Sequence, residues 1–213
     1  MGISPTHILH PLLEFLFPRS KEVKKLESMT AEQYLSQFQR SLTPVSSITS
    51  IFNYSDPYVR LAIHEVKYRK NRIIASRFGE ILYGEIKRVV HSQNKILVVP
   101  VPSSKSRQRK KGFSHTELLV EEILKNDREN LFEYGKSVLV KTKETIPQTE
   151  TKSKGERKKN PIGSFGIRDG SRISGREVIV VDDVLTTGST LKEAMATLKR
   201  AGAKRAFGIT AAH

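Results

Sequence analysis

An α/β fold, with a parallel sheet covered by helices on both faces, follows from three features of the sequence. Two short runs, "KILVVPVP" and "EVIVVDDV", are aliphatic at successive positions, the pattern of strands buried on both sides. Each is followed by a loop and then by helical spacing, "SHTELLVEEILK" after the first and "STLKEAMATLKR" after the second. The last run is followed in turn by the apolar "AFGITAA", which completes a strand, loop, helix, strand series.

Residues 1–53 read as an N-terminal helical elaboration, and 54–213 as the main domain. "HILHPLLEFLF" is broken by His10, Pro11 and Glu14, follows no cationic n-region and lacks a small-residue cleavage site, so it is not a secretory signal. In "TAEQYLSQF", Thr30 and Gln33 have capping-box spacing ahead of Tyr34, Leu35 and Phe38. Val59, Ile63 and Val66, then Ile74, Phe78, Ile81 and Leu82, recur at helical spacing and predict two amphipathic helices. The strand from residue 95 leads through a basic loop to a helix opened by Ser114 and Glu117, again a capping-box pair. Residues 141–161, "KTKETIPQTETKSKGERKKNP", contain Ile146 as their single aliphatic and read as a long loop of the kind that is either functional or disordered. In the last helix Leu191, Ala194, Met195 and Leu198 form the apolar stripe, and Gly202 stands where a C-cap glycine is expected.

Composition narrows the function classes. Lys and Arg total 37 against 22 Asp and Glu, a formal charge of +15, which favours phosphates, nucleic acid or anionic lipid as partners. The absence of cysteine removes disulfides, thiolate zinc sites and cysteine nucleophiles. No run approaches the ~18 apolar residues of a membrane span, and the expectation is a cytoplasmic protein without a membrane anchor.

The chemistry concentrates in "VIVVDDVLTTGST", Val178 to Thr190. Parallel sheets bind ligands at the carboxyl ends of their strands, which puts Asp182 and Asp183 at a binding edge, outside the core. Thr186, Thr187, Gly188, Ser189 and Thr190 then lead into a helix, with Thr190 and Glu193 at capping-box spacing. Hydroxyls, a glycine that admits close backbone approach and the positive end of a helix suit a phosphate monoester. The acids would repel phosphate but accept hydrogen bonds from hydroxyls, at about 1.5–3 kcal/mol per charge-assisted bond. A phosphate and a vicinal diol on one ligand describe a phosphorylated ribose. A P-loop would need a lysine after Gly188, a dinucleotide fingerprint would need three spaced glycines, and a phosphoacceptor receiver domain would need far more chain after Asp183.

This stretch resembles the phosphoribosyl pyrophosphate (PRPP) motif of type I phosphoribosyltransferases. "YSDPYVRLAIHEVKYRKNRIIASRFGEIL", "VPVPSSKSRQRKKGFSHTELL" and the spaced Gln148, Arg157, Asn160 and Phe165 are similar to the ComF family of competence-associated, phosphoribosyltransferase-like proteins, from about Tyr54 onward. Many members of that family begin with a cysteine-rich segment, which this chain does not have; no structural zinc is expected.

The resemblance implies a Rossmann-like parallel sheet of the type I phosphoribosyltransferase fold with an N-terminal helical or hood region. It implies that Asp182 and Asp183 contact the ribose hydroxyls and that Thr186 to Thr190 cradle the 5′-phosphate. Ser103, Ser104 and Lys105 would hold the pyrophosphate, carried with Mg²⁺, and 141–161 would be a mobile lid whose Arg157 reaches it, with Gln148 and Asn160 as further lid candidates. Asp182, Asp183, Lys105 and Arg157 would then carry catalysis. His64 and His115 read as surface or packing histidines, and no general base is evident. A second reading is a DNA-uptake accessory protein that senses PRPP and holds single-stranded DNA, with little or no catalysis. Arg107, Arg109, Lys110 and Lys111 would supply cations, Tyr54, Tyr58 and Tyr68 the stacking surfaces, and the competence machinery the partners. A homodimer is compatible with either reading. Whether the ligand is turned over, and which base or amine accepts the sugar, is not written in any motif.

Overall fold

The computed structural model describes residues 20–41, 47–90, 94–103, 112–142 and 163–213. Its elements run α1 (Lys21–Ser28), α2 (Ala31–Gln37), β1 (Ile48–Phe52), α3 (Pro57–Arg69), α4 (Arg72–Val89), β2 (Ile96–Pro100), α5 (His115–Lys125), β3 (Phe132–Tyr134), β4 (Leu139–Lys141), β5 (Phe165–Ile167), β6 (Glu177–Val184), α6 (Ser189–Arg200) and β7 (Arg205–Ala212). The main sheet is five-stranded and parallel, in the order β1-β7-β6-β2-β3, and β4 and β5 form a separate antiparallel pair.

The double covering inferred from the aliphatic runs is present. Alternate residues of β2 and β6 divide between two cores: Ile96, Val98, Ile179 and Val181 face a cluster built with α1 to α5. Leu97, Val99, Val178 and Val180 face the other, with α6 and the β4–β5 pair. Because strand side chains alternate between faces, a strand buried on both must be apolar at every position.

The helices form where the sequence places their signals. Asp56 caps α3 by accepting from the Tyr58 and Val59 N–H groups, with Pro57 at the first helical position. The expected apolar stripes, Val59, Ile63 and Val66 on α3 and Ile74, Phe78, Ile81 and Leu82 on α4, are all buried. Thr30 and Gln33 make the full reciprocal capping box. Ser114 accepts from the Glu117 N–H and caps α5. Gly202, at φ +95°, follows the end of α6, and the Ala203 N–H returns to the Leu198 carbonyl at 3.1 Å.

Residues before 54 do more than decorate the fold. Ile48, Thr49, Ser50 and Phe52 of β1 pair with β7, and Leu26, Tyr34, Phe38, Ile51 and Phe52 share one core with Ile209. The boundary expected at 53/54 therefore runs through a continuous core. A strand was not legible in "SSITSIF" because its pattern is completed only by β7, far along the chain. The long loop expected at 141–161 falls largely outside the described residues, as does "HILHPLLEFLF". No helix among the described residues is long and apolar enough to cross a membrane.

Helices α4 and α5 are held close by Gly79. A Cβ there would lie 2.5 Å from Glu122 Cβ and 2.7 Å from its carbonyl carbon, which no real side chain tolerates. Gly79→Ala is expected to force the helices apart and cost about 1–3 kcal/mol, despite the better helix propensity of alanine, measured by urea unfolding.

Candidate functional site

β6 is apolar from Val178 to Val181 and then carries two adjacent acids while still in the sheet. Asp182 lies in register with Thr210 on β7, and Thr210 with Ser50 on β1. The Ser50 and Thr210 hydroxyls are 2.6 Å apart, and Thr210 also donates to the Ala212 carbonyl at 3.1 Å. On the other side the Val101 N–H donates to the Val181 carbonyl at 2.9 Å, so the chain through Pro102 and Ser103 leaves β2 at the level of the acids.

The two acids are not equivalent. Asp182 is half-buried, whereas Asp183 is only 6% exposed and so lies partly in the core instead of wholly at the edge. Asp182 Oδ1 accepts the Asp183 N–H, and Asp183 Oδ1 accepts the Val184 N–H, both at 2.9 Å. Asp183 Oδ2 faces two basic groups, Lys67 Nζ at 2.5 Å and His115 Nε2 at 3.4 Å. Lys67 comes from the last turn of α3 and His115 is the first residue of α5, so three elements meet at one carboxylate. His115 is buried as a packing histidine would be, but it packs against the acid. Sequence reasoning passed over Lys67. The available signal was its position four residues after buried Ile63, a lysine on an apolar stripe, which calls for a buried partner.

Electrostatics separates the acids further. Burial raises the Asp182 carboxyl above the usual carboxylate range, and the charge of Asp183 beside it raises it again. Burial works in the same direction on Asp183, but the His115 hydrogen bond and the Lys67 ammonium outweigh it and hold that carboxyl well below the usual carboxylate range. Lys67 is itself opposed by burial, yet Asp183 and then Asp182 keep it firmly protonated. One ligand atom from each of His115, Asp182 and Asp183 lies within 4.8 Å of the others, a spacing a divalent ion can bridge. With the Lys67 ammonium on Asp183 Oδ2, however, the buried acid of the pair already has its counter-charge, and the cluster does not fit a resident metal.

After β6 the Leu185 N–H is pinned to the Ala212 carbonyl at 2.8 Å, and the hydroxyl loop begins. Gly188 adopts φ +73° and is the N-cap of α6, with no side-chain cap bond. The capping box expected from Thr190 and Glu193 is absent because the left-handed glycine starts the helix at Ser189. Glu193 instead accepts from the Gly163 N–H at 2.9 Å and from Arg200 at 3.1 Å. Thr187 and Ser189 hydroxyls lie 2.8 Å apart over this uncapped helix start, and Thr186, Thr187 and Thr190 are exposed. N–H groups, hydroxyls and a positive dipole end thus converge where an anion can reach them.

Ser104, Lys105, Arg107, Arg109, Lys110, Lys111, Gln148, Arg157 and Asn160 lie outside the described residues. The described residues on either side of 143–162, Thr142 and Gly163, are tied into the fold. The Thr142 N–H donates to the Ser164 carbonyl at 3.0 Å, and the Glu193 bond ties Gly163 to α6.

Residues 72–212 match the family model described as the phosphoribosyl transferase domain. The DNA utilization protein YhgH of Escherichia coli strain K12 is 28% identical over 163 residues, covering 75% of this chain and 69% of that protein. Competence protein F of Haemophilus influenzae is 27% identical over 157 residues, covering 71% of this chain and 66% of its own. Among solved structures, a hypoxanthine phosphoribosyltransferase from Staphylococcus aureus aligns with 64% of this chain and 61% of its own at 14% identity and a TM-score of 0.37. The family match takes in β2, the acid pair on β6, the hydroxyl loop and α4 to α6, and the chain belongs to the phosphoribosyl transferase domain family.

Proposed function

We propose that the protein binds PRPP at the carboxyl edge of its sheet and transfers the phosphoribosyl group to a nitrogen acceptor, releasing pyrophosphate. The observation that carries this reading is the junction of an acid pair with an uncapped helix start, one suited to a diol and the other to a phosphate. In the reaction the bond from C1 to the pyrophosphate oxygen breaks, a bond from C1 to nitrogen forms, and the acceptor nitrogen's proton passes to the departing pyrophosphate or to water. Asp182 orients the ribose hydroxyls, with Asp183 beside it, and Thr186, Thr187, Gly188, Ser189 and Thr190 hold the 5′-phosphate. Ser103 and Ser104 belong to the pyrophosphate loop, and Lys105 and Arg157 offset charge on the departing group. Mg²⁺ belongs to this reading as the ion that accompanies pyrophosphate and neutralises part of its charge.

The test is pyrophosphate release from PRPP with a panel of nucleobases and amines, beside calorimetric titration with PRPP alone. Saturable PRPP binding with acceptor-dependent release is the expected result. A folded protein with no PRPP affinity overturns the reading.

A second reading rests on other observations. Tyr54, Tyr58 and Tyr68 are 38%, 36% and 54% exposed on a chain of charge +15, and both named relatives carry DNA-utilization or competence descriptions. Exposed aromatics among cations suit single-stranded DNA, and Arg107, Arg109, Lys110 and Lys111 would add to that surface. Tyr58 stacks on Phe38 and lies under Lys25, while Tyr68 lies against the His64 ring at 4.7 Å and keeps the larger exposure. Gel shifts over a salt series decide it: affinity that does not fall steeply with salt removes the phosphate-driven binding this reading requires.

A further inference from the structure

The proposed reaction assigns no role to Lys67, yet its ammonium makes one of the shortest side-chain contacts at the site. Two neighbouring carboxylates, one of them almost fully buried, need positive charge close by. Proteins supply it with a bound metal or with a cationic side chain. His115, Asp182 and Asp183 have the spacing for the first solution, while Lys67 supplies the second.

The two solutions compete for one place. His115 Nε2 and Lys67 Nζ both approach Asp183 Oδ2, at 3.4 and 2.5 Å. A divalent ion bonded to that oxygen and that imidazole would sit about 2.0–2.6 Å from each, on an oxygen that the ammonium already approaches to 2.5 Å, and like charge would repel it. The lysine is also firmly delivered. Its helix is capped by Asp56 and buries Val59, Ala62, Ile63 and Val66, so the stem of Lys67 starts from a fixed backbone. Its side chain is 27% exposed against 8% for Asp183, so the pair lies at the rim of the core and the ammonium keeps contact with solvent.

We propose that Lys67 is the resident counter-cation of the acid pair, taking the place of a divalent ion among His115, Asp182 and Asp183, so that the free protein excludes metal from this cluster. Metal then enters the site only as part of an anionic ligand. A single monovalent charge leaves Asp182 able to accept hydrogen bonds from an incoming hydroxyl, which a divalent ion bridging both acids would prevent. The proposal holds whichever ligand the sheet edge binds, and its test uses none.

Mn²⁺ is titrated into the full chain without other ligands and followed by the electron paramagnetic resonance of the free ion, while proton NMR follows the His115 imidazole. The wild type is expected to leave the His115 resonances unbroadened. Lys67→Met, which keeps the stem and removes the charge, is expected to bind Mn²⁺ at least ~10-fold more tightly, about 1.4 kcal/mol or more, with His115 broadened. Lys67→Arg should behave as wild type, and Lys67→Met with His115→Ala should lose the gain. Selective broadening of His115 in the wild type overturns the proposal. So does a folded Lys67→Met variant that gains no affinity. If that variant does not fold, the wild-type NMR experiment decides alone.

Discussion

Asp182→Asn is expected to reduce PRPP affinity by ~100-fold or more while leaving the protein folded and slightly more stable. Asparagine keeps the shape of the side chain but gives up the charge and turns one acceptor into a donor. Two charge-assisted bonds to ribose hydroxyls, at about 1.5–3 kcal/mol each, would be lost or weakened together. The stability gain comes from removing a half-buried carboxyl that stands beside another negative charge. The carboxyl's pKa is raised in the folded chain, so between the unfolded value of about 4 and the raised one the folded chain holds a proton the unfolded chain has released. Stability from this group is complete below about pH 4 and falls as pH rises through the raised folded value. The variant escapes that fall, so its advantage in melting temperature should be larger at pH 9 than at pH 5. A gain of about 1 kcal/mol would appear as roughly 2–4 °C. Calorimetric titration beside thermal melts at both pH values makes the check. Unchanged PRPP affinity in the folded variant removes the assignment of Asp182 to the sugar.

Asp183→Ala should behave in the opposite way, costing about 2–4 kcal/mol of stability in urea unfolding. The substitution leaves Lys67 and His115 facing an emptied, largely buried position. The partial exposure of Lys67 lets water screen some of the orphaned charge, which puts the cost below that of a fully enclosed pair. Pairing the change with Lys67→Met should recover a substantial part of the loss, and the double-mutant cycle gives the coupling directly. A loss under about 0.5 kcal/mol would show that the contact is ordinary surface pairing. Replacing both acids at once would mix a binding defect with a folding defect, so the single substitutions are the informative ones.

Much of this was legible because it is local. The aliphatic runs, the apolar stripes of α3, α4 and α6, and the order of acids, hydroxyls and glycine from Val178 to Thr190 are properties of neighbouring residues. What was not legible depends on distance along the chain. Lys67 and Asp183 are 116 residues apart, and only the docking of α3 against the sheet brings them together. His115 looked ordinary for the same reason. β1 escaped notice because a strand with a weak alternating pattern is defined by its partner. The capping box at Thr190 failed more locally: the pattern fits, but a glycine at φ +73° starts the helix two residues early and leaves Glu193 to bind Gly163. Two patterns competed there, and backbone conformation decided between them.

The position of β7 bears on how the chain is made. It lies between β1 and β6 in the sheet, yet it follows both in the sequence. During synthesis β1 emerges from the ribosome with no neighbour, and β6 later presents an open edge, until β7 arrives and pairs with both. The Tyr54 N–H donates to the His213 carbonyl at 2.8 Å, and the His213 N–H to the Phe52 carbonyl at 2.9 Å, so even the closing bonds join distant parts of the sequence. Contacts of that separation form slowly. A chain released from the ribosome after α6 would therefore carry two strand edges left without β7, the one on β6 largely aliphatic, a form suited to chaperones or to aggregation.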